Sequence, residues 1–142
     1  MRALLDVNVL IALLDSDHSL HEAATGWYAE HAKDGWASCP ITQNGCVRVM
    51  SNPSYPGALP VQAVIERLTA ACETGLHEFW PDDLSLLDSS SLDPLRIHGP
   101  RQITDLYLLA LAVRHQGRFV TFDHLISTDA VHRAAKANLV RL

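Results

Sequence analysis

Two spacings of apolar residues divide the chain. Strand-length runs occur at Leu4-Leu5, Gly35-Trp36-Ala37-Ser38, His77-Glu78-Phe79-Trp80, Arg118-Phe119-Val120-Thr121-Phe122 and Leu139-Val140. Between them the pattern turns helical. Val7 to Leu14 is nearly all apolar and breaks at Asp15-Ser16-Asp17. From His18 to Ala32, Leu20, Ala23, Ala24, Trp27 and Tyr28 recur at helical spacing. Pro40 opens a helix through Val49, and Val61 to Cys72 is amphipathic and closed by Gly75. Ile103 to His115, stopped by Gly117, is the clearest helix, and Leu84 to Leu87 predicts one more short turn. Asn52 to Gly57 is turn chemistry. Ser89 to Pro100 reads as a loop and as the segment most prone to move. Short strands alternating with helices predict an α/β fold, a central, mostly parallel sheet covered on both faces.

The 142 residues suit one domain, 1–142, and no internal repeat divides them. Hydrophobic residues make up 48% of the chain, which excludes wholesale disorder, and no apolar run reaches the ~20 residues that cross a bilayer. The amino terminus meets Asp6 before a signal-peptide core can form, so a soluble, cytoplasmic protein with no membrane partner is expected. Cys39, Cys46 and Cys72 are odd in number and contain no Cys-x-x-Cys pair, which favours reduced, buried thiols over a disulfide framework or structural zinc. Net charge is −5 but unevenly spread. Residues 1–93 hold four basic and thirteen acidic side chains, whereas residues 94–142 hold seven and three. That balance argues against coating nucleic acid broadly, and it leaves a basic tail able to meet phosphate locally.

The chemistry concentrates in three aspartates. Two strand-like runs end in an acid, Leu4-Leu5-Asp6 and Phe119-Val120-Thr121-Phe122-Asp123. In open parallel sheets ligands bind beyond the carboxyl ends of the strands, so adjacent strands would deliver both carboxylates to one edge. Asp105 shares a helix face with Leu108, Leu109, Ala112 and Val113, the face expected to pack on the sheet. A carboxylate there needs a partner. Alone it is equally well explained as a helix-start acid beside Thr104, but with Asp6 and Asp123 a shared cation becomes the better account. Clustered carboxylates repel unless neutralised, and hard oxygen donors select Mg²⁺ or Mn²⁺. Such ions activate water and stabilise charge on a phosphodiester.

Longer stretches around these acids resemble a known family. Leu4-Leu5-Asp6-Val7-Asn8-Val9-Leu10-Ile11-Ala12-Leu13 is similar to the first motif of PIN-domain ribonucleases. Ile103-Thr104-Asp105-Leu106-Tyr107-Leu108-Leu109-Ala110-Leu111-Ala112 and Val120-Thr121-Phe122-Asp123 are similar to the third and fourth. Asp17-His18, His21, Ala24 and Trp27, with the block Ile41 to Pro53, resemble VapC-type toxins of bacterial toxin–antitoxin pairs. The likeness covers residues 1–55 and 99–125. It implies an endoribonuclease that holds Mg²⁺ or Mn²⁺ on Asp6, Asp105 and Asp123 and leaves a 5′-phosphate and a 3′-hydroxyl. Asn8 and Thr121 would orient ligands or water. The family's fourth acid, in a Thr-Glu motif after the second strand, is here Thr42-Gln43, and residues 35–65 contain no Asp or Glu. Gln43 offers only a neutral carbonyl oxygen. The resemblance then implies one tightly held ion, with a second recruited by RNA phosphate. It also implies a homodimer and a VapB-like antitoxin whose carboxy-terminal segment lies in an apolar groove, suited to this acidic first part.

Arg101, Arg118 and Arg96 are candidates to hold the RNA backbone, solvated surface charge being the plainer role for each. His18 and His21 lack a third ligand at zinc spacing, and helix-start packing accounts for them. His124 adjoins Asp123 but reads foremost as loop surface, and Trp27 and Tyr28 as core or interface. Two other functions compete. A PIN-like module that binds RNA or antitoxin without cutting would follow from the missing acid. A phosphotransfer enzyme using Asp6 as nucleophile is disfavoured, because Asn8 stands where a dehalogenase-type Asp-x-Asp needs its second acid, and Lys33 and Lys136 are misplaced for a receiver domain.

Overall fold

The computed structural model describes residues 1–142. Five strands, β1 (Ala3–Leu5), β2 (Trp36–Ser38), β3 (His77–Phe79), β4 (Arg118–Thr121) and β5 (Leu139–Arg141), form one sheet in the order β3-β2-β1-β4-β5. Every pairing is parallel, with Ala3 beside both Trp36 and Arg118. All carboxyl ends therefore emerge at one edge. The chain winds outward from β1 to β3 and then crosses back to β4, so the direction of winding reverses between β1 and β4. Ligands of such sheets sit at that reversal.

The helices are α1 (Val7–Leu14), α2 (His21–His31), α3 (Pro40–Met50), α4 (Val61–Cys72) and α5 (Ile103–Arg114). The two-residue period of β1 separates two cores. Leu4, with Ala37 and Phe119, packs under Leu108, Leu109 and Leu111 of α5. Ala3 and Leu5, with Trp36 and Val120, pack under Val9 and Leu10 of α1, Cys46 and Met50 of α3, and Val64 and Leu68 of α4. Both faces are thus covered. No helix is long and apolar enough to cross a membrane.

Two local features set the site's geometry. Asp6 caps α1, its Oδ1 accepting from the Val7 amide at 2.7 Å, so the acid that ends β1 also starts the next helix. Gly45 lets α3 approach that first turn, since a Cβ there would stand 2.6 Å from Val7 Cγ2.

The segment Leu84 to Leu87 is not helical, contrary to the apolar pattern. Four residues close too few hydrogen bonds to offset helix nucleation. Instead the Leu84 carbonyl accepts the Tyr107 hydroxyl at 2.8 Å, the Ser85 hydroxyl accepts the Leu87 amide, and Leu87 stands 90% exposed. The following loop is tied down in its middle. Leu92 is buried and bridges Val131, and Asp93 donates its amide to the Ala130 carbonyl at 2.9 Å.

Candidate active site

Asp6, Asp105 and Asp123 reach the same edge from three elements, the end of β1, the first turn of α5 and the turn after β4. Thr121 joins two of them. Its hydroxyl donates to Asp6 Oδ2 at 2.7 Å and accepts the Asp123 amide at 3.0 Å. Asp123 Oδ1 in turn accepts the Leu125 amide at 2.7 Å, which fixes the turn. Thr121 is fully buried and Asp6 is only 7% exposed.

Electrostatics tie the third acid to this pair. Burial pushes the Asp105 carboxyl up to about 6, and repulsion from Asp6 and Asp123 adds to it. The Asp6 carboxyl is also raised, by burial foremost; its bonds from Thr121 and Val7 work against the rise, and Asp123 adds repulsion. None of the five ion pairs in the protein includes any of these carboxylates. Asp105 has no hydrogen-bond donor either. The donor set, three oxygen-bearing anions that desolvate and repel one another without a counter-charge, fits a hard divalent cation. In this structure no three His, Cys, Asp or Glu side chains stand close enough to form a finished metal cage.

The remaining predicted residues divide. Asn8 lies in the first turn of α1, exposed and without a side-chain partner. Arg101 stands in the short turn Pro100–Gln102 immediately before α5, exposed and in no ion pair. Both remain at the acidic edge. Gln43 does not reach it. Its amide donates to Ser38 Oγ at 3.0 Å, Ser38 Oγ bonds His77 Nε2 at 2.7 Å, and the group lines a hollow of about 680 Å³ between α3 and α4. Arg118 opens β4 and so sits at the opposite edge of the sheet. It pairs with Asp34 at 3.0 Å and lies over the Trp27 ring. Arg96 is paired with Asp93 at 3.4 Å. His124 bonds the Leu142 carbonyl, and His21 bonds the Ala12 carbonyl across helices, so neither is free as a ligand on that nitrogen.

Two charged residues on this side of the sheet were not foreseen, and they are not paired with one another. A cleft of about 430 Å³ opens where the first turns of α1, α3 and α5 meet, between Val7, Pro40 and Thr104, with Asn44, Arg48 and Asp82 on its walls. Asp82 follows β3 by three residues, an acid just past a strand end like Asp6 and Asp123.

A PIN domain family model matches residues 3–130. The chain is a PIN-domain protein. Other PIN-domain proteins resemble it closely along its length. It is 56% identical over 142 residues to Ribonuclease VapC44 of Mycobacterium tuberculosis, covering 100% of both chains. It is 44% identical over 131 residues to Ribonuclease VapC39 of the same organism, 92% of this chain and 94% of the relative. Among solved structures, the PIN fold seen here is shared with VapBC2 from Rickettsia felis bound to a promoter DNA fragment. That likeness has a TM-score of 0.63 at 14% identity, covering 100% of this chain and 98% of the other.

Proposed function

We propose that this PIN-domain protein is a divalent-metal-dependent endoribonuclease, the toxin of a toxin–antitoxin pair. The observation that carries the proposal is that Asp6, Asp105 and Asp123 lie at one edge of the sheet, at its winding reversal, where their charges repel one another and no basic side chain pairs with them. Full-length similarity to proteins named Ribonuclease VapC44 and VapC39 supports it.

The reaction is hydrolysis of an RNA phosphodiester: a water oxygen bonds to phosphorus as the bond to the 3′-oxygen breaks, leaving a 5′-phosphate and a 3′-hydroxyl. Asp6, Asp105 and Asp123 would hold Mg²⁺ or Mn²⁺, which would supply positive charge for the phosphate and lower the pKa of the attacking water. The protein's own part is positional. Thr121 and the Val7 amide hold both oxygens of Asp6, which fixes its direction before substrate arrives. Asp105, whose carboxyl is pushed up to about 6 in the metal-free protein by burial and by its acidic neighbours, must be ionised to act as a ligand. Exposed Arg101 stands beside the first turn of α5 and takes an RNA phosphate.

The partners that fit are RNA, a second copy of the chain, and a VapB-like antitoxin presenting a basic segment, in keeping with the acidic residues 1–93. The setting is the cytoplasm.

The deciding experiment incubates purified protein with structured RNA and Mn²⁺, with EDTA and with the Asp6→Asn and Asp105→Asn variants as controls. Cleavage by the unmodified protein alone, abolished by EDTA, is expected. Cleavage that persists in both variants overturns the proposal, and RNA retention without cleavage points to a binding module.

A further inference from the structure

Residues 35–65 carry a single Asp, Glu, Lys or Arg side chain, and it is Arg48. Although residues 1–93 hold thirteen acids, Arg48 is exposed and in none of the protein's ion pairs. It stands near the end of α3, one turn after the equally exposed Asn44. Both line the cleft of about 430 Å³ whose other walls include Val7 and Thr104, the sequence neighbours of Asp6 and Asp105. Both also line the hollow between α3 and α4, so they form the ridge between the two openings. Arg48 borders a third, smaller hollow over Asn52 to Pro56. Neither hollow has an acid in its lining.

The charge of Arg48 is not used within the protein. Neither the Asp6 nor the Asp105 carboxyl is lowered by it, so it is no counter-charge for the acidic centre. Asp82, the one acid on the cleft wall, forms no ion pair with Arg48 and keeps one oxygen out of solvent beside the Cys39 thiol. A guanidinium stays charged at every working pH, and its planar fork of donors matches a phosphate. A basic antitoxin segment would be repelled by it, whereas an RNA strand entering or leaving the acidic edge carries the complementary charge.

We propose that Arg48 is a substrate-binding residue that takes, across the adjoining cleft, an RNA phosphate next to the scissile one, with Asn44 as a second donor. The assignment rests on the reading of the protein as a ribonuclease acting at Asp6, Asp105 and Asp123. Arg48 meets a phosphate that does not react, so it holds ground state and transition state alike and acts on KM rather than kcat.

The test compares the unmodified protein with Arg48→Ala, Arg48→Lys and Lys33→Ala. Lys33 is an exposed cation in the short turn Ala32–Asp34 that leads into β2, at the opposite edge of the sheet. Binding of a non-cleavable RNA analogue is measured over a range of salt, beside cleavage kinetics, sedimentation and melting temperature. The analogue is also made with an uncharged methylphosphonate at each phosphate flanking the cleavage position in turn. Arg48→Ala is expected to bind about 10-fold more weakly, with a salt slope smaller by about one, a higher KM, and kcat and melting temperature unmoved. Arg48→Lys should keep the slope and part of the affinity, and Lys33→Ala should match the unmodified protein. One methylphosphonate should weaken the unmodified protein but not Arg48→Ala. Unchanged slope and KM in Arg48→Ala, an equal loss in Lys33→Ala, or the same methylphosphonate profile in both proteins overturns the assignment. A variant altered only in sedimentation also overturns it, by placing Arg48 between copies of the chain. Failure of the ribonuclease reading looks different, because the unmodified protein would then neither bind the analogue nor cleave RNA.

Discussion

If the three aspartates are assembled for a cation, then without one they strain the fold, and removing a charge should make the metal-free protein more stable. Asp105 is the informative position, since it combines burial with repulsion from two neighbours and has no bond to compensate. A carboxyl moved from 3.8 to about 6 carries about 3 kcal/mol of unfavourable free energy when ionised. Screening by solvent around a half-buried group reduces this to about 1–2 kcal/mol. Asp105→Asn should therefore raise the melting temperature in EDTA at pH 7.5 by roughly 3–6 °C for a domain of this size. The pH dependence has a definite sign. The folded state binds this proton more tightly than the unfolded chain, so the penalty is absent below about pH 4, grows between there and pH 6, and is complete above pH 7. The stability gain of the variant should follow that course. Adding Mn²⁺ should reverse the order, stabilising the unmodified protein and leaving Asp105→Asn nearly unmoved. Scanning calorimetry from pH 4 to 8, with EDTA or Mn²⁺, reads all of this. A variant that melts lower than the unmodified protein in EDTA at pH 7.5, or a difference indifferent to pH, refutes the reasoning.

Other perturbations separate positioning from mere stability. Thr121→Val removes the hydroxyl that joins Asp6 to the Asp123 turn, and should cut cleavage by about 10–100-fold while costing about 1–2 kcal/mol in denaturant melts. Gly45→Ala forces a Cβ to 2.6 Å from Val7 Cγ2, and should cost about 1–3 kcal/mol in the same melts and lower activity by shifting the turn that holds Asp6. Arg118→Ala should lower stability by about 1–2 kcal/mol, through its ion pair with Asp34 and its stacking on Trp27, with kcat and KM for RNA unchanged. Arg101→Ala should do the reverse, leaving the melting temperature and reducing the salt slope of RNA binding by about one phosphate contact.

The contrast between these two arginines shows what a linear reading reaches. Asp6 and Asp123 were legible because each ends an apolar run, and parallel strands put their ends together whatever lies between. Asp105 was legible because helical phase gave it an inward face. Arg118 is only five positions from Asp123, yet an extended strand spends those positions travelling roughly 15 Å across the sheet. Proximity in sequence there means opposite edges in space. Gln43 failed for a different reason. Each helical residue turns about 100° from the last, so occupying the family's motif does not fix direction; Gln43 lines only the hollow beside α4, whereas Asn44 borders both that hollow and the cleft. The apolar spacing at Leu84 to Leu87 gave no hint that Tyr107, twenty-three residues on, would claim the Leu84 carbonyl, or that the Asp88 amide would close a turn on the Ser85 carbonyl.

The central claim is that a single cation site forms on Asp6, Asp105 and Asp123. Anomalous diffraction from a crystal of the protein soaked in Mn²⁺ tests it without reference to any substrate. The account predicts a peak at the β1–β4 end of the sheet, about 2 Å from carboxylate oxygens of these residues, absent from Asp6→Asn crystals. Saturating Mn²⁺ with no peak there, or with its strongest peak on other side chains such as His18 and His21, contradicts it.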